Sequence, residues 1–242
     1  MMIGIDIGTT NIKAVAVNVA GVPVAMAERR NESFVPQVGW SEQDPEAIWQ
    51  KVLAVIREVL DNAFVTANGE PAQGLVFSSA MHGLVAVDQA GNPLTQVWLW
   101  SDLRADKIAR ELRNSEAGQA VYQRTGVPIH PMSPLCKVMW MREHQPEIYR
   151  AAHKFLDIKS FVWHRLTGQF ALDVSCGSAT GFMNIENNAW DAGALVLAGI
   201  AKEKQKIALY NGPATTRLFN EDCSPTGFMW TFDTATSAKG TA

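Results

Sequence analysis

The sequence predicts a mixed α/β domain in which an antiparallel strand meander at the amino end precedes a largely helical body. The first observation is strict alternation: Ile3, Ile5 and Ile7 interleave with Gly4, Asp6 and Gly8, the period of a pleated strand. The second is a change of period after Asp44-Pro45, where Ile48, Val52, Val55, Ile56, Val59 and Leu60 recur at helical spacing. The third is that Asp102 to about Arg165 is mostly helical in pattern, with breaks at Gly126-Val127-Pro128 and near Pro146.

In chain order, the first strand turns at Gly8-Thr9-Thr10 into a second β-rich run, Ile12 to Val19. Ala20-Gly21 then leads into a third, Val22 to Ala27. A polar loop, Asn31 to Asp44, carries Gly39-Trp40-Ser41-Glu42-Gln43. Asp44 can cap free N–H groups and Pro45 tolerates the first helical position, so an amphipathic helix is expected from there to about Asn62. Gly74 to Ser79 reads as a short apolar strand. Leu84 to Val87 and Val97 to Trp100, joined through the turn Asp88 to Asn92, read as a hairpin. A helix from Asp191 to Ile200 closes the patterned part. Beyond Ala201 the texture is small and polar with little periodicity, read as loosely ordered except for a possible helix over Ala201 to Lys206.

Composition excludes several classes. The 242 residues are 47% hydrophobic and 19% charged, enough for a sizeable core and against disorder. The net charge of −3 leaves no basic excess for a dedicated nucleic-acid binder. No apolar run reaches the ~18 residues of a membrane span, and Met1 to Asp6 shows no secretory signal pattern. Cys136, Cys176 and Cys223 are far apart and form no CxxC pair, which disfavours a zinc or disulfide framework and points to the cytoplasm.

Chemistry concentrates in Asp6-Ile7-Gly8-Thr9-Thr10-Asn11-Ile12-Lys13. A turn glycine lets a phosphate approach the backbone, and turn N–H groups with the Thr9 and Thr10 hydroxyls can donate to its oxygens. Asp6 can hold hydrated Mg²⁺, which takes one or two carboxylates and keeps several waters. Lys13 adds positive charge. The plainer alternative is an ordinary hairpin with Asp6 as a local cap. Neither a P-loop nor a Rossmann glycine pattern occurs.

The run Gly4 to Thr10 resembles the first phosphate loop of the actin-like, ribonuclease-H-like ATPase superfamily. Further stretches narrow the resemblance to the FGGY family of carbohydrate kinases. Ser79-Ala80-Met81-His82-Gly83 is similar to the substrate loop of sugar kinases, and Trp98-Leu99-Trp100-Ser101-Asp102-Leu103-Arg104 resembles the family's W-x-D-x-R segment. Leu166-Thr167-Gly168 with Asp173, Ser175, Ser178, Ala179 and Thr180 follows a further family pattern. Ile129 to Lys137 is most similar to the gluconate kinases of that family. The resemblance implies a ribonuclease-H-like fold and ATP-dependent phosphorylation of a sugar or sugar acid, gluconate to 6-phosphogluconate, with ATP and Mg²⁺.

On that resemblance Asp6, Gly8, Thr9, Thr10 and Lys13 are expected at the nucleotide phosphates, with Asp6 toward the metal. Met81, His82, Trp100, Asp102, Arg104, His130 and Met132 are expected at the sugar. A lone histidine is more simply structural, but Met81 and Gly83 beside His82 turn that reading toward substrate. Trp100 offers a flat face to a carbon chain. Asp102 and Arg104 either pair with each other or face substrate, and Asp102 alternatively caps a helix. A gluconate carboxylate needs a cation or several N–H donors, and Arg104 and Lys137 are both candidates.

The family's catalytic base is an aspartate in a G-x-x-D segment late in the first domain. No such segment follows Ile200, and the settings of Asp222 and Asp233 do not match, so the base is unassigned. The resemblance also implies chains about twice this length. Residues 1–200 are therefore expected to be the substrate-binding domain and 201–242 a divergent tail, with the ATP-binding domain absent. Little turnover is expected alone, and an uncovered apolar face favours a homodimer. The rival readings are a half enzyme completed by a partner, a non-catalytic sugar-binding or assembly module, and an actin- or chaperone-type ATPase. Met81-His82-Gly83 and the Trp-rich loop disfavour the last of these.

Overall fold

A computed structural model of the chain describes residues 1–66 and 71–200. The tail over 201–242, including its expected helix, Asp222, Asp233 and Cys223, lies outside the described residues. The described chain divides into two compact units. One contains Met1–Glu32 and Glu46–Ser79; the other contains Ser33–Pro45 and the chain from Ala80 onward.

The first unit is built on the alternation read above. β1 (Met2–Ile7) pairs antiparallel with β2 (Asn11–Val17), which pairs antiparallel with β3 (Pro23–Arg30). Ile3, Ile5, Ile7, Ile12, Ala14 and Ala16 are buried, so one face of the meander is core. In the second unit, β4 (Glu42–Gln43) lies inside the loop that the sequence leaves unstructured. The chain then returns to the first unit as α1 (Pro45–Thr66), longer than the expected stop at Asn62, which buries Ile48, Val52, Val55, Ile56 and Val59. Arg29 of β3 pairs with Glu58 of α1 at 2.5 Å, and Glu32 pairs with Lys51. β5 (Gly74–Ser79) joins β1 in parallel, giving the strand order β3-β2-β1-β5. Parallel pairing brings the carboxyl ends of β1 and β5 together, with Ile7 opposite Ser79.

The second unit contains the rest. The expected hairpin is present only as single bridges, Leu84 to Trp98 and Val87 to Pro93. Instead β6 (Val85–Val87) pairs with β8 (Lys154–Leu156), and β7 (Val97–Trp98) pairs with β4. β8 therefore interrupts the stretch that reads as helical. Around these strands run α2 (Asp106–Arg113), α3 (Glu116–Thr125), α4 (Pro134–His144), α5 (Pro146–Ala151), α6 (Ile158–Thr167) and α7 (Val174–Ser178). The hairpin β9 (Met183–Asn184) and β10 (Ala189–Trp190) and then α8 (Ala192–Ala198) follow. Ser115, Ser133, Asp157, Asp173 and Asp191 each accept from a backbone N–H at a helix start. The core of this unit gathers Leu84, Trp98, Leu135, Val138, Met141, Phe155 and Phe182. No described helix is long and apolar enough to cross a membrane.

Candidate functional site

In the first unit the β1–β2 turn is closed by the Gly8 N–H donating to the Asn11 carbonyl at 3.0 Å. A β-carbon on Gly8 would fall 2.7 Å from that same oxygen, so the turn is compact because residue 8 lacks one. The Gly8 N–H is used by the turn itself, and Thr9 and Thr10 follow it in the turn. Asn31, at the end of β3, holds this loop from behind. Its side-chain amide donates to the Gly8 carbonyl at 3.0 Å, and its backbone N–H donates to the Thr10 carbonyl at 2.7 Å. Asn31 is buried, and sequence reading placed it only at the start of a polar loop. An asparagine directly after a strand next to the glycine turn was the available signal.

The cross-strand register lines up Ser78, Asp6, Lys13 and Glu28 in one row across the sheet. Residues opposite one another in register share a face. Asp6 is exposed, and Lys13 lies 3.7 Å from Glu28, an exposed pair. Thus the lysine has a carboxylate on either side in the row. Asp6 offers an accessible carboxylate with no competing cluster: among the described residues no group of His, Cys, Asp and Glu side chains could hold a metal by itself. That donor set fits Mg²⁺, which is bound through one or two carboxylates together with substrate phosphates.

In the second unit His82 is the centre. It adopts a left-handed backbone, φ 64°, and its Nδ1 lies 2.9 Å from the Ala179 carbonyl. A carbonyl only accepts, so Nδ1 carries the proton in the neutral ring and Nε2 keeps its lone pair. Burial holds the His82 pKa below the ordinary histidine value. The Ala179 hydrogen bond opposes this, while the charges of Lys137 and His130 add to it. Ala179 belongs to the motif around Asp173 and Thr180, whose contribution here is a backbone oxygen and so invisible in side-chain terms. His130 is half-buried, and its Nδ1 accepts from the Met132 N–H at 3.1 Å, so that loop folds back on its own imidazole. Met132 is also half-buried, whereas Met81 and Trp100 are exposed, Trp100 at 51%.

Asp102 and Arg104 take the first of the alternatives left open by sequence. The Arg104 Nε and Nη2 donate to the two Asp102 carboxylate oxygens, both at 2.8 Å, and Nη2 also reaches Glu42. Asp102 is fully buried and accepts the Ser41 N–H at 2.8 Å, while the N-cap of α2 is Ala105, with no side-chain cap. The guanidinium carbon lies 3.8 Å from the ring centroids of both Trp40 and Trp98. Within this group, Arg104 Nη1 is buried without a hydrogen-bond partner. Lys137 differs. Its ammonium donates to the carbonyls of Leu99 at 2.6 Å, His82 at 2.7 Å and Trp98 at 3.3 Å, which uses its donors.

Comparison with known proteins shows the family. The N-terminal domain of the FGGY family of carbohydrate kinases matches residues 1–220. A gluconokinase of Bacillus licheniformis is 36% identical over 93% of this chain and 42% of its own length. A xylulose kinase of Staphylococcus xylosus is 30% identical over 78% of this chain and 38% of its own. The crystal structure of a gluconate kinase from Lactobacillus acidophilus superposes with a TM-score of 0.81 at 29% identity, covering 89% of this chain and 42% of that one. The chain thus spans less than half the length of these relatives. With a domain match along most of its length, an antiparallel meander beside a parallel strand, and a glycine turn between the first two strands of that meander, the chain belongs to the FGGY family of carbohydrate kinases.

Proposed function

We propose that this chain supplies the substrate-binding domain of an ATP-dependent kinase for a polyhydroxylated sugar acid, converting gluconate to 6-phosphogluconate. The observation that carries the reading is the β1–β2 turn, where Gly8 excludes a β-carbon and Asn31 holds the loop by its carbonyls. In such a turn the backbone N–H groups and hydroxyls of Thr9 and Thr10 are the proposed phosphate donors. The Lys13 ammonium offsets phosphate charge, and Asp6 would hold Mg²⁺ through its waters; when bound, the ion neutralises charge on the phosphate oxygens. For the sugar, His82 Nε2 accepts from a hydroxyl and the Trp100 face covers carbon. Arg104 is buried in its pair with Asp102, and the Lys137 ammonium is committed to three carbonyls, so neither cation is assigned to the carboxylate. Met81, His130 and Met132 border this set and tune which sugar fits. The base that removes the hydroxyl proton is not among the assigned residues.

Calorimetry on the 242-residue chain tests this reading. Gluconate is expected to bind in preference to xylulose, with His82→Ala weakening it at least tenfold, about 1.4 kcal/mol. Absence of binding by any sugar or sugar acid would overturn it. Gluconate binding with no nucleotide binding would favour the sugar-binding module.

A further inference from the structure

The Lys137 side chain is fully buried on α4, and no carboxylate pairs with it among the described residues. A buried ammonium without a counter-ion in contact is costly unless each of its protons is bonded. Here an ammonium's three donors meet three carbonyls, those of His82, Trp98 and Leu99. These oxygens come from two separate segments. One holds His82 in a left-handed backbone that disfavours residues with a β-carbon. The other runs straight into Trp100. Strained backbone persists where its surroundings over-determine it, and His82 is tied twice, through its carbonyl to Lys137 and through Nδ1 to Ala179.

We infer that Lys137 is a positioning residue whose ammonium fixes the His82 loop and the Trp98–Trp100 segment at one spacing, so that His82 Nε2 and the Trp100 ring meet a polyol already in register. The inference rests on the sugar-binding reading above for its consequence, though not for its geometry. Burial lowers the Lys137 pKa to about 7, partly offset by the charge of Asp102. Nothing in the sequence motifs requires this lysine to reach backward to two loops.

The test is nitrogen-15 NMR of the imidazoles in the full chain, with His82 assigned by His82→Gln. In the unmodified chain His82 is expected as the Nδ1–H tautomer. In Lys137→Met, with far-UV dichroism unchanged, the signature is expected to move to the mixed tautomers of a free imidazole, and the gluconate Kd to rise at least tenfold. Lys137→Gln, which keeps two donors, should recover part of both. A folded Lys137→Met that retains the original His82 signature overturns the inference. If gluconate does not bind the unmodified chain but the signature still moves, the positioning role stands and the gluconate reading fails. If neither variant folds, the unmodified chain decides. A correlation across the hydrogen bond between Lys137 Nζ and the His82 carbonyl carbon supports the role, and an ammonium that exchanges as fast as surface lysines overturns it.

Discussion

At Gly8 a single methyl group separates two outcomes. Its β-carbon would lie 2.7 Å from a backbone oxygen of the same turn, and backbone cannot rotate away as a side-chain tip can. Gly8→Ala is expected to cost about 1–3 kcal/mol in urea unfolding and to weaken Mg-ATP binding. Gly4→Ala, whose β-carbon would meet only the Val15 side chain at 3.7 Å, should be neutral or slightly stabilising. Equal effects at the two glycines would contradict the packing account. His82 makes a second expectation. Its pKa is held below the model-compound 6.5 mainly by burial, so between that value and its own folded value the unfolded chain binds the proton and the native chain does not. Stability should therefore fall as pH drops from about 6.5 through the folded pKa and then level off. An NMR titration midpoint for His82 at or above the free-histidine value would refute this. Arg104 is a third test at this scale. Removing it leaves Asp102 and Glu42 buried without their paired guanidinium, and Arg104→Met should destabilise by about 3–5 kcal/mol.

Among the elements, α8 depends on one residue. Asp191 caps its first turn by accepting the Ala194 N–H at 2.8 Å and forms a two-point pair with Arg124 of α3. Arg124 first, then the cap hydrogen bonds, hold the Asp191 carboxyl below the usual aspartate range, so its contribution is present above about pH 4 and lost as pH falls through the folded value. Asp191→Ala should lower stability by about 1–2 kcal/mol at neutral pH, and a difference that persists undiminished in strong acid would contradict the linkage. Elements were legible in sequence where the signal was local. The isoleucine alternation marked β1, and the spacing after Pro45 marked α1. The two-residue β4 and three-residue β8 were not, because their pairing comes from β7 and β6 far along the chain and from no period of their own. For the same reason the expected Leu84–Trp100 hairpin survives only as bridges. At the candidate site, the glycine-threonine turn was legible from residue types, and His82 was singled out only through the motif resemblance of its neighbours Met81 and Gly83. The supports beneath them, Asn31, the Ala179 carbonyl and the Lys137 ammonium, act through backbone oxygens, which carry no sequence signature.

For the molecule as a whole, Val19, Val22 and Met26 are exposed in the first unit, and Phe34, Val35, Val38, Trp100 and Leu103 in the second. Apolar surface of this kind favours association. Light scattering is expected to show a mass that rises with concentration, and a monomer throughout would count against self-association. Because the relatives are more than twice as long, turnover of gluconate and ATP by these 242 residues alone is expected to be low. The deepest commitment is that the amino-terminal turn grips a nucleotide's phosphates. A crystal structure of the chain grown with Mg-ADP or Mg-ATP should place phosphate oxygens within hydrogen-bond distance of the Thr9–Thr10 segment, with Asp6 facing the metal's waters. Nucleotide bound elsewhere while that segment contacts only solvent would contradict it.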